Sequence, residues 1–214
     1  MLPRLLDHLR ATAPPWPLEI IIADGGSTDD TVRLATRAGC RVTHASCGRA
    51  LQFNAGAAIA RGLHLYFLHA DTLPPADWAR YVTAPRAGCF SLRFAEQDSS
   101  WLLRFLSRAS RLNLDAFRYG DQSLFVPATT FRAVGGYADQ LRVFEDYELV
   151  RRLRHFQGGF EFRPGRAATT SARRYLEHGV LYTQTCFTLL YLAYRFGASQ
   201  SKLTAFYRRA FRAG

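Results

Sequence analysis

LEIIIADGGSTDDT, residues 18–31, decides how the rest of the chain is read. Leu18–Ala23 is a short, isoleucine-rich apolar run, the pattern of a strand buried on both faces of a parallel sheet. Asp24-Gly25-Gly26 turns the chain at its end. Ser27 or Thr28 can then cap a helix running to about Ala38, with Asp29 and Asp30 favourable in its first turn. Outward from this unit the alternation repeats. Residues 40–45 predict a strand, 50–61 an alanine-rich helix and 63–68 (LHLYFL) another apolar strand that ends in His69 and Asp71; Pro74 and Pro75 start a further short helix. Upstream, Leu2–Arg10 reads as a helix. This order predicts an α/β fold, Rossmann-like, with a mostly parallel sheet and helices on both faces. In such sheets ligands bind beyond the carboxyl ends of the strands, where Asp24 and Asp71 fall.

The second half is less regular. Residues 88–95 predict a strand, 101–114 an amphipathic helix with Arg104, Arg108 and Arg111 on one face, and 122–126 a short strand. Residues 144–155 predict a helix that opens on acidic residues. Residues 180–196 and 200–211 predict two more helices, broken at Gly197. A chain of 214 residues with no repeat and no low-complexity run suits one domain over 1–214, with C-terminal helices from about 175.

The formal net charge of +11 is almost all arginine, Lys202 being the single lysine. The arginines are spread along the chain and form no basic arm, so a nucleic-acid partner is not expected; a diphosphate substrate or an anionic membrane face suits this surface better. Cys40, Cys47, Cys89 and Cys186 have no zinc or redox spacing and are expected as buried free thiols in a cytoplasmic protein. Residues 180–196 are too short and too polar for a confident membrane span. Peripheral contact at the inner face of a membrane is the expected alternative, through the arginine face of 101–114 and the aromatic helix 180–196.

Taken in order, the motifs are IIIADGGSTDDT, Gly48-Arg49-Ala50, Asn54-Ala55-Gly56, FLHADT (67–72), YGDQSLFV (119–126), Gly135-Gly136-Tyr137 and FEDYELVRRL (144–153). This set resembles the inverting glycosyltransferases of family 2, which have the A-type fold. It looks closest to the bacterial branch identified as the radical-SAM/selenodomain-associated transferase 2 group. The resemblance implies transfer of a sugar from a UDP- or GDP-linked donor to an acceptor that it does not identify, including lipid-linked ones. It implies a divalent metal, Mn2+ or Mg2+, on Asp71, with His69 at the position where the family has its first Asp. It implies donor contacts from Asp24, Arg49, Asn54, Asp121, Gln122, Arg173 and Arg174, the last two in a basic lid over the diphosphate. The Glu145-Asp146 pair resembles the family's base motif, with Asp146 the expected general base.

Each role has a plainer counterpart: a turn for Asp24, a solvated surface position for Arg49, Arg173 and Arg174, a helix-start acid for Glu145 and Asp146. Three departures stand out, His69 where the family has its first Asp, Gly25 where it often has a second Asp, and the apparent absence of the family's first strand. They keep open a non-catalytic nucleotide-sugar-binding or scaffold protein of the same fold.

Overall fold

The computed structural model describes residues 1–112 and 123–211. The N-terminal half follows the predicted alternation: α1 (Leu2–Ala11), β1 (Ile21–Asp24), α2 (Thr31–Arg37), β2 (Arg41–His44), α3 (Arg49–Ile59), β3 (His64–Phe67), β4 (Thr72–Leu73) and α4 (Ala79–Val82). Beyond it come β5 (Gly88–Phe94), α5 (Trp101–Ala109), β6 (Leu124–Pro127), α6 (Ala128–Ala133), α7 (Glu145–Gln157) and β7 (Glu161–Thr170). Three helices follow, α8 (Arg173–His178), α9 (Val180–Arg195) and α10 (Gln200–Ala210). The helix after the Gly25-Gly26 turn starts later than Ser27 or Thr28 would set it, with Asp30 at its N-cap position.

The strands form two sheets. β1 pairs in parallel with β2, in register Asp24 to His44. The other five lie in the order β3-β6-β5-β7-β4. There β5 and β7 are parallel, whereas β3–β6, β5–β6 and β4–β7 are antiparallel. The sheet is therefore mixed, and the expected parallel pairing holds for β1–β2 and β5–β7. The regular strand–helix alternation ends after β3, and without a crossover helix per strand neighbours are free to run in opposite senses. Among the described residues no ladder joins β1 to β3.

Side-chain alternation assigns the faces. Leu65, Phe67, Leu124 and Val126 point to the side covered by α3, α6 and α7, where they pack with Ala50, Phe131, Leu149 and Leu153. Tyr66, Phe90 and Phe125 point to the opposite side, against Leu5 and Leu9 of α1 and Trp78 and Val82. α1 also turns Leu2 and Leu6 to Ala35, Ile20 and Ile22. It thus packs on both sheets from one face, while α3 bridges them from the other, Gly56 lying against Ala23 and Ile21.

β7 was not legible in the sequence, because Pro164 and Gly165 interrupt it. The register slips between Phe90 and Ser91 opposite them, and the Ser91 hydroxyl bonds both Pro164 O (3.2 Å) and Arg166 O (3.0 Å) across the irregularity. The cysteines are free thiols; Cys89 and Cys186 are buried as expected, but Cys47 is exposed, since it lies in the loop before α3.

Candidate active site

Asp24 ends β1 and is buried. Its carboxylate accepts from Gly26 N (3.0 Å) and Ser27 N (3.1 Å) and stands 3.4 Å from His44 Nδ1. The hydrogen bond from the Ser27 hydroxyl is the largest effect on it, and together with the turn amides it outweighs burial and holds the acid below its ordinary 3.8. Glu19 is likewise held low, chiefly by the Arg61 backbone N–H.

Because both folded-state values lie below the unfolded ones, their stabilisation is present above about pH 4 and is lost as pH falls through the folded values. The melting temperature is therefore expected to fall below pH 4. Asp24→Asn should flatten part of that drop; an unchanged acid limb in Asp24→Asn would contradict the assignment.

The 24–26 turn is fastened to the start of α3 by Gln52, whose Nε2 donates to Ala23 O (2.9 Å) and whose Oε1 accepts from Gly48 N (3.4 Å). Gly48 sits at φ 145°, and a Cβ there would run into the Arg142 guanidinium, which donates to Cys47 O at 2.7 Å.

Arg49, the first residue of α3, reaches across to the first turn of α7. Its Nε lies 3.4 Å from Glu145 Oε1 and its Nη1 3.8 Å from Asp146 Oδ2. Glu145 is buried, whereas the Asp146 side chain keeps 15% of its surface exposed. Phe144 precedes them at φ 66°, a left-handed conformation costly for an aromatic residue. It is held there by Tyr191 and Tyr194 of α9, with ring centroids at 6.2 and 4.9 Å. Facing the acid pair is the buried Tyr137 hydroxyl; burial, then the charges of Asp146 and Glu145, push its pKa well above the ordinary phenol value and keep it protonated.

His69 follows β3. Its ring meets Phe53 of α3 edge-on at 5.4 Å, and Phe53 in turn packs on Tyr137. Asp71 is exposed, with Thr72 Oγ1 at 3.5 Å from its Oδ1. Among the described residues no group of three or more His, Cys, Asp or Glu is gathered as for a metal. A Mg2+ or Mn2+ brought in on a diphosphate, however, takes only one or two protein carboxylates. The exposed Asp71 fits such an ion. The arrangement thus brings the Asp24 turn, the 69–71 tip and the start of α7 to the N-terminal half of α3.

Other expected residues are engaged elsewhere. Asn54 donates to Tyr137 O (2.8 Å) and Asp139 Oδ1 (2.7 Å) and accepts from Tyr137 N (2.9 Å), so its amide holds the 136–139 loop. Arg174 stacks over Phe187, Tyr207 and Phe211, with its guanidinium 5.3 to 5.9 Å from the ring centroids, and Arg173 is an exposed partner of Glu177 at 3.7 Å. Both belong to α8, where a basic lid over the diphosphate was expected. Asp121 and Gln122 lie outside the described residues. Sequence reading missed Arg152, which pairs with Glu148 through 2.7 Å bonds and donates to Val134 O and to Gly136 O (2.7 Å). Its i,i+4 spacing from Glu148 was the available signal.

The family described as Glycosyl transferase family 2 matches residues 1–127, more than half the chain. The chain belongs to glycosyl transferase family 2. No curated protein matches it significantly in sequence. Among solved structures, this family 2 chain is similar to the mannosyltransferase PcManGT from Pyrobaculum calidifontis, in complex with GDP-Man and Mn2+. The two are 16% identical with a TM-score of 0.63, over 98% of this chain and 65% of that one. It is also similar to S. aureus TarS 1-349 in complex with UDP, at 12% identity and a TM-score of 0.61, over 100% of this chain and 68% of that one. This family 2 chain therefore spans about two thirds of the length of those proteins, and at such identities the likeness establishes the shared A-type fold alone.

Proposed function

We propose that the chain transfers a sugar, with inversion, from a UDP- or GDP-linked donor to an acceptor hydroxyl. The observation that carries this is the start of α7, where a buried Glu145 and a partly exposed Asp146 meet Arg49 beside the Asp24 turn. Asp146 is the acid of the pair that an acceptor can reach. It takes the hydroxyl proton as the oxygen attacks the anomeric carbon from the face opposite the leaving diphosphate. Glu145, out of solvent, positions Arg49, whose side chain is 44% exposed and can also face a phosphate. Asp24, its side chain only 4% exposed and already accepting from the Gly26 and Ser27 amides, would shape the turn on which the ribose or base rests. Asp71 would hold a divalent ion, which when bound neutralises charge on the diphosphate. The solved relatives, whose names record GDP-Man, Mn2+ and UDP, support a donor of this class. The order of the sequence motifs supports the bacterial radical-SAM-associated branch, and the free thiols support a cytoplasmic protein.

The test is nucleotide release from a panel of UDP- and GDP-sugars with Mn2+, the anomeric configuration of the product being read by NMR. Turnover with inversion is expected. Tight nucleotide binding with no turnover for any donor would leave a binding protein instead. In Asp71→Asn, Mn2+ affinity in the presence of UDP is expected to fall on the order of 100-fold, the upper end of losses seen even for outer-shell partners. An unchanged Mn2+ titration would remove Asp71 from the metal site.

A further inference from the structure

α9 has two unlike faces. Thr183, Cys186 and Leu190 are buried, and Tyr191 and Tyr194 hold the start of α7. The other face carries Leu181, Tyr182, Leu189, Leu192 and, one residue past the helix, Phe196, all exposed, with Leu181 at 72% and Phe196 at 87%. Their spacing, with Thr185 and Thr188 between them, draws one uncharged stripe along the helix. Ser100–Leu102, at the start of α5, and Gly179–Tyr182, leading into α9, line one shallow groove, which joins this stripe to α5.

α5 exposes Trp101 (70%), Phe105, Arg104 and Arg108, and the turn after it exposes Arg111 and Leu112. On the other flank α10 is tied to α9 by the Tyr182 hydroxyl bonding Ala210 O at 3.3 Å, and it exposes Phe206, Lys202, Arg208 and Arg209. Residues 99–112 and 179–211 contain no Asp or Glu, and the acids just before these segments are the exposed Asp98 and Glu177, the latter paired with Arg173. A large exposed apolar face bordered mainly by arginine is not ordinary solvated surface.

We propose that this face, made by α5, α9 and α10, docks on an anionic lipid bilayer. Aromatic and leucine side chains enter the headgroup region while the arginines meet lipid phosphates. Charge complementarity selects this occupant. A two-fold dimer through the same face would set arginine against arginine, since α5, α9 and α10 carry no carboxylate of their own. A nucleic-acid backbone would satisfy the arginines and leave the uncharged α9 stripe in water. Among the described residues no helix is long and apolar enough to cross a membrane, so the contact is peripheral. The proposal does not depend on sugar transfer.

The experiment is co-sedimentation of the full chain with phosphatidylcholine vesicles, with and without phosphatidylglycerol, at low and high salt. Binding is expected only with phosphatidylglycerol, weakened at least about 10-fold at high salt, with a blue shift in tryptophan fluorescence. Arg104→Glu/Arg108→Glu should weaken binding by about 10-fold or more, and Trp101→Ala should abolish most of the shift. These side chains are exposed, so the variants should keep the parent melting temperature. Equal binding to uncharged vesicles, or none at low salt, would overturn the proposal. So would self-association by sedimentation velocity that the same substitutions abolish, or retention on polyuridylate without vesicle binding.

Discussion

Replacing Asp146 with Asn is expected to lower the turnover number for sugar transfer about 1000-fold, within the range for loss of a general base, while the donor KM stays within about threefold. The asymmetry of the acid pair dictates this. Glu145 is 2% exposed and 3.4 Å from the Arg49 guanidinium, so it serves as a counter-ion. Asp146, one residue on and turned about 100° around the helix, keeps surface open and is 3.8 Å from the same arginine. Asn has the same shape and still accepts a hydrogen bond, so the helix start should survive while the proton acceptor is lost. Glu145→Gln should act differently, removing the counter-ion that orients Arg49 while leaving the proton acceptor in place. If Asp146→Asn kept more than about a tenth of the turnover, the base would have to be sought elsewhere.

Arg152→Ala should cost about 3 kcal/mol of folding stability, read as a lower urea midpoint at unchanged slope. The guanidinium makes two bonds to Glu148 and donates to Val134 O and Gly136 O. Removing it leaves two carbonyls and a carboxylate without their charged donor. Arg152→Lys should recover little, since a single ammonium cannot serve that fork of acceptors. The consequence extends to the site. Gly136 stands at φ 68°, where a Cβ would meet Asn54 Oδ1 at 2.8 Å, and Tyr137 follows it to face the acid pair. Asn54 grips this loop from α3 and Arg152 grips it from α7. A loss below about 0.5 kcal/mol, the level of an ordinary surface change, would show that Asn54 alone suffices.

Much of this was legible in residue order because it rests on local rules. IIIADGG gives a strand and a turn from apolar run, carboxylate and glycines, wherever the strand packs. Alanine content marks α3, an acidic start marks α7 and the 3.6-residue rhythm marks α5, and the matching family segment, residues 1–127, holds the clearest alternation. β7 escaped because Pro164 and Gly165 break its pattern, and only its partner β5, with Ser91 spanning the slip, makes a strand of it. The basic segment 173–174 looked like a lid, and only the rings of Phe187, Tyr207 and Phe211 fix where Arg174 points.

The sequence by itself determined the element types of the N-terminal half and the acidic residues worth watching, since those follow from periodicity and side-chain chemistry within a few residues. The tertiary structure alone decided that Arg49 faces Glu145 and Asp146, that Asn54 serves a loop 83 residues away, and that α9 leaves one apolar face open. Those outcomes depend on which surfaces meet, and a contact between distant segments leaves no period in either of them.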